Sequence, residues 1–325
     1  MKFHSILLKI ACSFAVLGAA TLAAAQDGYP NKPIKIIVPW SPGGGGDSVV
    51  RIIMDKLGER LGQPVILENR PGASGYIGAQ AVARAAPDGY TIVMGFDGSI
   101  VVAPNLIKAP FDTVADFAPI TKLNDATLVL AVHASVPAKS LKELVEYSKT
   151  KQGGLSFGSS GAATTTHLAG ELLAQRSGMN LTHVPYKGGG QAVIDVVGGQ
   201  IPLIVTVIPT ISAFLKDGRL RAIAVFSLKR SNALPEVPTM IESGLSDFEV
   251  SSWYGLLAPA KTPKPIIERL QREVAAVLVM PEIRARYLQG GFEPVGNKPE
   301  EFDQQIKSDL ARWGKVVKDA NLKVD

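Results

Sequence analysis

Residues 34–47 read Ile-Lys-Ile-Ile-Val-Pro-Trp-Ser-Pro-Gly-Gly-Gly-Gly-Asp, an apolar strand that runs into four consecutive glycines and then a helix. Such a junction brings bare backbone N–H groups together with the positive end of a helix dipole, which is the chemistry of an anion site. A turn needs one or two glycines, so four in a row favour close backbone approach to a ligand, with a tight turn as the plainer alternative. The surrounding residues do not suit a nucleotide. A P-loop ends in Gly-Lys-Ser/Thr, whereas Gly46 is followed by Asp47, and a dinucleotide fingerprint would need glycine where Ser48 stands.

A second junction repeats the design. Gly158, Ser159, Ser160 and Gly161 follow a short apolar run, and Thr164, Thr165 and Thr166 open the next helix, so hydroxyls and N–H groups face an oxygen-rich ligand. The same residues come close to a nucleophile elbow, but Ala162 occupies its last glycine position. A secreted serine hydrolase using Ser160 and His167 is therefore the rival reading from another class. His133, His167 and His183 have no paired ligand spacing and no cysteine beside them, so neither a metal nor a cofactor is expected. Trp40, Tyr186, Trp253 and Tyr254 are candidate rim aromatics, each with core packing as the alternative. Trp40 is the best cleft candidate because it directly precedes the glycine loop.

Short apolar strands alternate with helical segments, which predicts parallel sheets covered by helices, an α/β fold. Strands are expected at 34–38, 65–68 and 90–96, and Asp47 is expected to N-cap a helix whose buried stripe is Val49, Val50, Ile53, Met54, Leu57 and Leu61. Residues 71–75 lead into a small-residue helix through Ile77, Ala81 and Ala85. The third strand ends in Asp97, Gly98 and Ser99, so three loops share the rim beyond the carboxyl ends of their strands, where open α/β sheets bind ligands. The pattern restarts with strands at 128–132 and 155–157, a capping box from Ser140 to Glu143, the segment 186–190 opening a helix, and strands at 201–207 and 221–226. Beyond Leu256 the chain reads as helical, with stripes through Ile266, Leu270, Val274 and Val277 and through Phe302, Ile306, Leu310, Trp313 and Val317. Two units of like design predict two lobes across a cleft, with lobe 1 formed by residues 26–124 and 229–325 and lobe 2 by 125–228. The chain is expected to cross between them near 121–127 and 227–230.

The first residues read as a targeting segment. Lys2 and Lys9 precede an uncharged apolar run, and Ala23, Ala24 and Ala25 fit a cleavage site, so residues 1–25 are expected to be a signal peptide cleaved near Ala25. Cleavage would remove Cys12, the only cysteine, and would lower the formal charge from +5 to about +3. Basic and acidic residues alternate without a long Lys/Arg block, which argues against nucleic acid.

Several segments together carry a family resemblance. They are Pro-Trp-Ser-Pro-Gly-Gly-Gly-Gly-Asp at 39–47, Glu-Asn-Arg-Pro-Gly at 68–72, Pro-Asp-Gly-Tyr at 87–90, His-Leu-Ala-Gly-Glu at 167–171, His-Val-Pro-Tyr-Lys-Gly at 183–188, Gly-Gly-Gln at 198–200 and Leu-Pro-Glu-Val-Pro-Thr at 234–239. In this order they resemble the Bug-type extracytoplasmic substrate-binding proteins of tripartite tricarboxylate transporters, over nearly the whole chain beyond residue 25. The resemblance implies a two-lobed periplasmic binding protein of the type II, Venus-flytrap kind with Rossmann-like lobes. It would be monomeric, would close on a small carboxylate and would deliver it to membrane transporter subunits. Carried over residue by residue, the ligand positions are Ser41, Pro42, Gly43 and Gly44 with Asp47, and Ser159, Ser160, Gly161 and Thr164. Trp40, Asp97, Ser99 and Tyr186 complete the expected site. Trp40 stands where the family usually has Phe and Gly46 where Thr is common, which leaves the particular ligand open.

Overall fold

The computed structural model describes residues 28–319, so the expected signal peptide and Cys12 lie outside the described residues. The first sheet orders its strands β2 (Val65–Asn69), β1 (Ile34–Val38), β3 (Thr91–Phe96), β9 (Ser251–Pro259) and the first part of β4 (Phe117–His133), with the short β10 (Phe292–Pro294) also on β4. The second continues from the far end of β4 through β7 (Leu203–Val207), β5 (Leu155–Ser159) and β6 (Leu181–Pro185), with β8 (Leu220–Val225) also on β4. Thus β4 pairs with β9 as far as Thr127 and with β7 from Leu128. One 17-residue strand belongs to both sheets.

The sheets are mixed, which corrects the expectation of parallel sheets. β1, β2 and β3 run parallel, as do β5, β6 and β7, but β4 and β9 run against their neighbours. Sequence patterning marks only 128–132 of β4 as a strand, because Asn124 and Asp125 interrupt the apolar run. Asn124 is nevertheless buried, and its amide donates to the Asp125 carbonyl at 3.0 Å. The chain is also still extended at Leu256. β9 runs on to Pro259, and the next helix, α7 (Lys264–Leu278), begins five residues later.

Helices cover both sheets, as the near-continuous burial of β7 and β9 requires. α1 (Gly45–Leu61) buries Val49, Val50, Ile53, Leu57 and Leu61, at roughly 1.5–3 kcal/mol for each large apolar side chain removed from water. It ends where Gly62, in the left-handed region, returns its N–H to the Gly58 carbonyl. α2 (Tyr76–Ala83) buries Tyr76, Gly78, Ala79 and Val82 and leaves Ile77 exposed. α3 (Leu141–Lys149) starts with the expected cap, the Glu143 N–H donating to Ser140 Oγ at 3.2 Å.

α4 (Thr165–Ser177), α5 (Gly189–Val197) and α6 (Ile208–Lys216) pack on the second sheet, α6 in a segment the pattern did not mark. After α7 come α8 (Pro281–Gln289), also unmarked, and α9 (Pro299–Asp319). α9 returns the chain to the first sheet, with Phe302 edge-on to Trp253 and Asp309 accepting from Trp253 Nε1 at 2.9 Å. Trp253 is therefore core rather than rim. Alternation along β9 turns the next residue, Tyr254, to the opposite face.

Candidate functional site

The glycine loop ahead of α1 is shaped by what a side chain would strike. Gly43 sits at φ +83, which an L side chain rarely adopts, and a Cβ on Gly45 would lie 2.5 Å from Tyr254 Oη and 2.6 Å from Val207 Cγ2. A Cβ on Gly46 would meet the end of Met94. The helix begins at Gly45, so Asp47 is its third residue and not its N-cap; that place is held by Gly44, which offers no side chain. Asp47 turns back onto its own loop, accepting from the Gly43 N–H at 3.2 Å, Arg51 Nε at 2.8 Å and Asn69 Nδ2 at 3.1 Å. Burial alone would raise its pKa, but the bonds from Arg51, Gly43 and Asn69 outweigh burial and hold the carboxyl below the usual range. Asn69 also donates to the Trp40 carbonyl at 3.0 Å, so one amide pins both ends of the loop.

The loop that faces it across the molecule is 187–190. The Ser41 N–H and hydroxyl both donate to the Lys187 carbonyl, at 3.4 and 3.3 Å. A Cβ on Gly190 would lie 2.8 Å from the Pro42 carbonyl oxygen and 3.2 Å from the Gly44 nitrogen, so the two glycine runs touch backbone to backbone. α5 starts there with Gly188 at its N-cap and no side-chain cap, as at α1. Two uncapped helix N-termini, one on each sheet, therefore point into the same place, each with N–H groups that no intrahelical acceptor can satisfy.

Between them lies a small cavity of about 20 Å3 lined by Trp40, Gly44, Gly45, Gly46, Phe96, Ser160, Gly189 and Tyr254. Its aromatic wall is a corner: Phe96 stacks on Tyr254 with centroids 5.2 Å apart, and Trp40 stands edge-on to Phe96. Burial raises the Tyr254 phenol well above its ordinary pKa, so the hydroxyl stays a neutral donor and acceptor. Trp40 Nε1 is buried without a hydrogen-bond partner.

The loop at 158–164 is knit to itself. Ser159 Oγ lies 2.6 Å from His183 Nε2 and accepts from the Gly161 N–H at 3.1 Å, while the Ser160 N–H donates to Thr166 Oγ1 at 3.0 Å. Thr164 caps α4, accepting from the His167 N–H, and its hydroxyl donates to the Gly161 carbonyl at 2.7 Å. His167 accepts from the Ala163 N–H at Nδ1, sets Nε2 3.4 Å from Glu171, and stacks on His183 at 3.7 Å. Neither ring nitrogen bonds to Ser160, so the Ser160 and His167 pair that a hydrolase would need is not formed. Burial, reinforced by His167, lowers the His183 pKa to about 3 and keeps that ring neutral.

Of the residues expected at the site, Trp40, Gly44 and Ser160 line the cavity. Ser41, Pro42 and Gly43 form the turn that meets 187–190, while Asp47, Ser159, Gly161 and Thr164 make the frame behind it. Ser99 is buried and donates to the Phe96 carbonyl at 3.1 Å, and Tyr186 Oη is turned onto Asp195 at 2.6 Å. Burial and then Asp195 push the Tyr186 phenol up to about 12. Asp97 is fully buried on the first sheet, accepting from Ser252 Oγ at 2.6 Å and, across to the second sheet, from Thr165 Oγ1 at 2.8 Å. Burial raises its pKa to about 7 against the pull of those hydroxyls. Tyr254, a candidate rim aromatic, lines the cavity, and so do Gly45, Gly46, Phe96 and Gly189, which were not among the expected ligand positions. The signal for Gly189 was present, a second glycine run at a helix start. No group of three His, Cys, Asp or Glu suited to a metal occurs among the described residues.

Two mixed sheets joined by a shared strand, with helix N-termini from both meeting over a small cavity, define a two-lobed solute-binding protein. The chain belongs to the tripartite tricarboxylate transporter family receptors, whose family model matches residues 49–322. It is 33% identical to protein BugT of Bordetella pertussis over 326 residues, covering all of both chains. Among solved structures it resembles the periplasmic binding protein BugD, with 36% identity, TM-score 0.86, and 91% of this chain and 99% of that one covered. It also resembles R. palustris Rpa4515 with adipate, with 32% identity, TM-score 0.88, and 91% and 99% covered.

Proposed function

We propose that this chain is a periplasmic receptor that closes on a small carboxylate between its lobes and hands it to the membrane subunits of a tripartite transporter. The observation that carries this reading is the meeting of two uncapped glycine N-termini, of α1 and α5, at one cavity. Each N-terminus contributes roughly 0.3–1 kcal/mol to an exposed anion and up to ~2 when partly buried. Charge-assisted hydrogen bonds at about 1.5–3 kcal/mol each bring micromolar affinity, about −8 kcal/mol, within reach. Because the two halves of the cradle stand on different sheets, the ligand favours the closed arrangement. The adipate held by the R. palustris relative fits this ligand class.

Lobe 1 is assigned to residues 26–124 and 229–325 and lobe 2 to 125–228, with export directed by residues 1–25 and a monomer as the working form. No helix among the described residues is long and apolar enough to cross a membrane. Calorimetry on the purified protein against mono-, di- and tricarboxylates, sugars and cationic amines tests the proposal. A carboxylate should bind at micromolar concentration or below; binding of sugars or amines with no carboxylate bound would overturn the reading.

A further inference from the structure

We infer, resting on the receptor reading above, that the protein takes up a proton together with its acid, and that the group receiving it is the Asp97 carboxyl beside the cavity. Asp97 directly follows Phe96, which lines the cavity, and is only 1% exposed. Its partners are Ser252 Oγ at 2.6 Å, Thr165 Oγ1 at 2.8 Å and the Gly98 N–H. Two of the three are hydroxyls, which donate to a carboxylate and, with the O–H turned away, accept from a carboxylic acid. The set therefore serves both forms of the carboxyl, where an arginine or lysine would fix the charged one.

Among the described residues no basic side chain pairs with Asp97. On β9 the titratable neighbour is the Tyr254 phenol, whose pKa is raised by burial and then by the Asp97 charge. On α9 it is a second acid, Asp309, which accepts from Trp253 Nε1 and lies 3.4 Å from Arg312. On α4, His167 stacks on His183 and sets Nε2 toward Glu171. On β4, Lys122 is tied to Asp125 at 2.9 Å. Burial, helped by the Asp309 charge, raises the Asp97 pKa to about 7 against its three hydrogen bonds.

A bound acid adds a second negative charge to this region. The Tyr254 phenol that feels Asp97 also lies against the start of α1, its Oη 2.5 Å from where a Cβ on Gly45 would stand. Phe96 and Tyr254 are register partners across β3 and β9, so Asp97 and the helix N-terminus flank one aromatic corner. Two like charges held out of water each disfavour the other's ionised form, so an acid at the α1 N-terminus raises the Asp97 pKa further. Near neutral pH the liganded protein then holds more of a proton at Asp97 than the free one, and binding draws the difference from solvent.

The test is calorimetry on the purified protein with adipate, succinate, citrate, butyrate and benzoate at pH 7, in PIPES and in imidazole. The two buffers differ in heat of ionisation, so proton uptake appears as a difference in measured heat. The wild type should take up about half a proton per acid bound, and its affinity should fall about tenfold more between pH 6 and pH 8 than that of Asp97→Asn. Asp97→Asn, with its thermal midpoint checked for folding, should take up none, and comparison at each pH cancels the titration of the acid itself. Ser252→Ala supplies a second variant: losing a donor to the charged form should move the midpoint of the pH dependence upward. Equal heats in the two buffers, undiminished uptake in Asp97→Asn or an unmoved midpoint in Ser252→Ala would overturn this inference and leave the receptor reading standing. Binding of none of the five acids would overturn both.

Discussion

The loop ahead of α1 and the loop ahead of α4 both carry a strand into a helix start, yet their first turns are filled differently. Ahead of α4, Ser159, Thr164 and Thr166 take up the N–H groups of Gly161, His167 and Ser160, so the loop satisfies its own donors. Ahead of α1, residues 43–46 have no side chains. Apart from the Gly43 N–H held by Asp47, the helix start is left open to the cavity. Hydroxyl side chains turn a helix N-terminus inward as a cap, whereas glycines leave it available to a ligand. The open partner of the α1 loop is thus the other glycine loop, at α5, and the serine-threonine loop is its scaffold.

The sharpest way to break this contrast is Gly190→Ala. Its Cβ would press on the backbone of Pro42, Gly43 and Gly44, so closure should fail and carboxylate affinity should fall at least a hundredfold, about 2.7 kcal/mol. Because those contacts are to backbone, the same change should also lower the thermal midpoint of the closed arrangement. Calorimetry and melting on one sample read both effects, and a variant that bound normally would refute the glycine-on-glycine clasp.

Asp97→Asn probes the tie between the scaffold loop and the first sheet. A carboxyl whose folded pKa is raised to about 7 favours folding at low pH and loses that advantage as pH rises toward 7. Between pH 5 and 7 the variant should therefore gain about 2 kcal/mol on the wild type in urea unfolding. The slope from His183, whose lowered pKa acts in the opposite sense, is common to both proteins and cancels. A constant difference across that range would show that Asp97 keeps its charge throughout.

The smallest effect is expected at the scaffold loop. Thr164→Ala removes the α4 cap and should cost about 1 kcal/mol of stability while changing ligand affinity less than threefold. A large affinity loss at unchanged stability would place Thr164 in the binding surface after all.

The parts of this arrangement that were legible in the sequence are those written locally. The strand and glycine run at 34–46, the stripe of α1 and the Ser140 cap each depend on residues within a few turns of one another. What was not legible depends on distant neighbours. Gly190 reads as an ordinary helix start until the fold sets it on Pro42. β9 goes unmarked in the sequence pattern, with Gly255 at its middle, and the reason for that glycine is the ring of Phe302, 47 residues later, which a Cβ there would strike. Trp253 and Tyr254 are both candidate rim aromatics in the sequence, and only the strand alternation of β9 separates the core residue from the cavity residue.

The 17-residue strand β4 has a consequence for how the molecule comes apart. Its first part is held by β9 and its last by β7 and β8, so removing either sheet strips the partners from a strand that the other also needs. Two lobes built this way have no seam along which one could melt and leave the other intact, and heat or urea should take them down in a single cooperative transition.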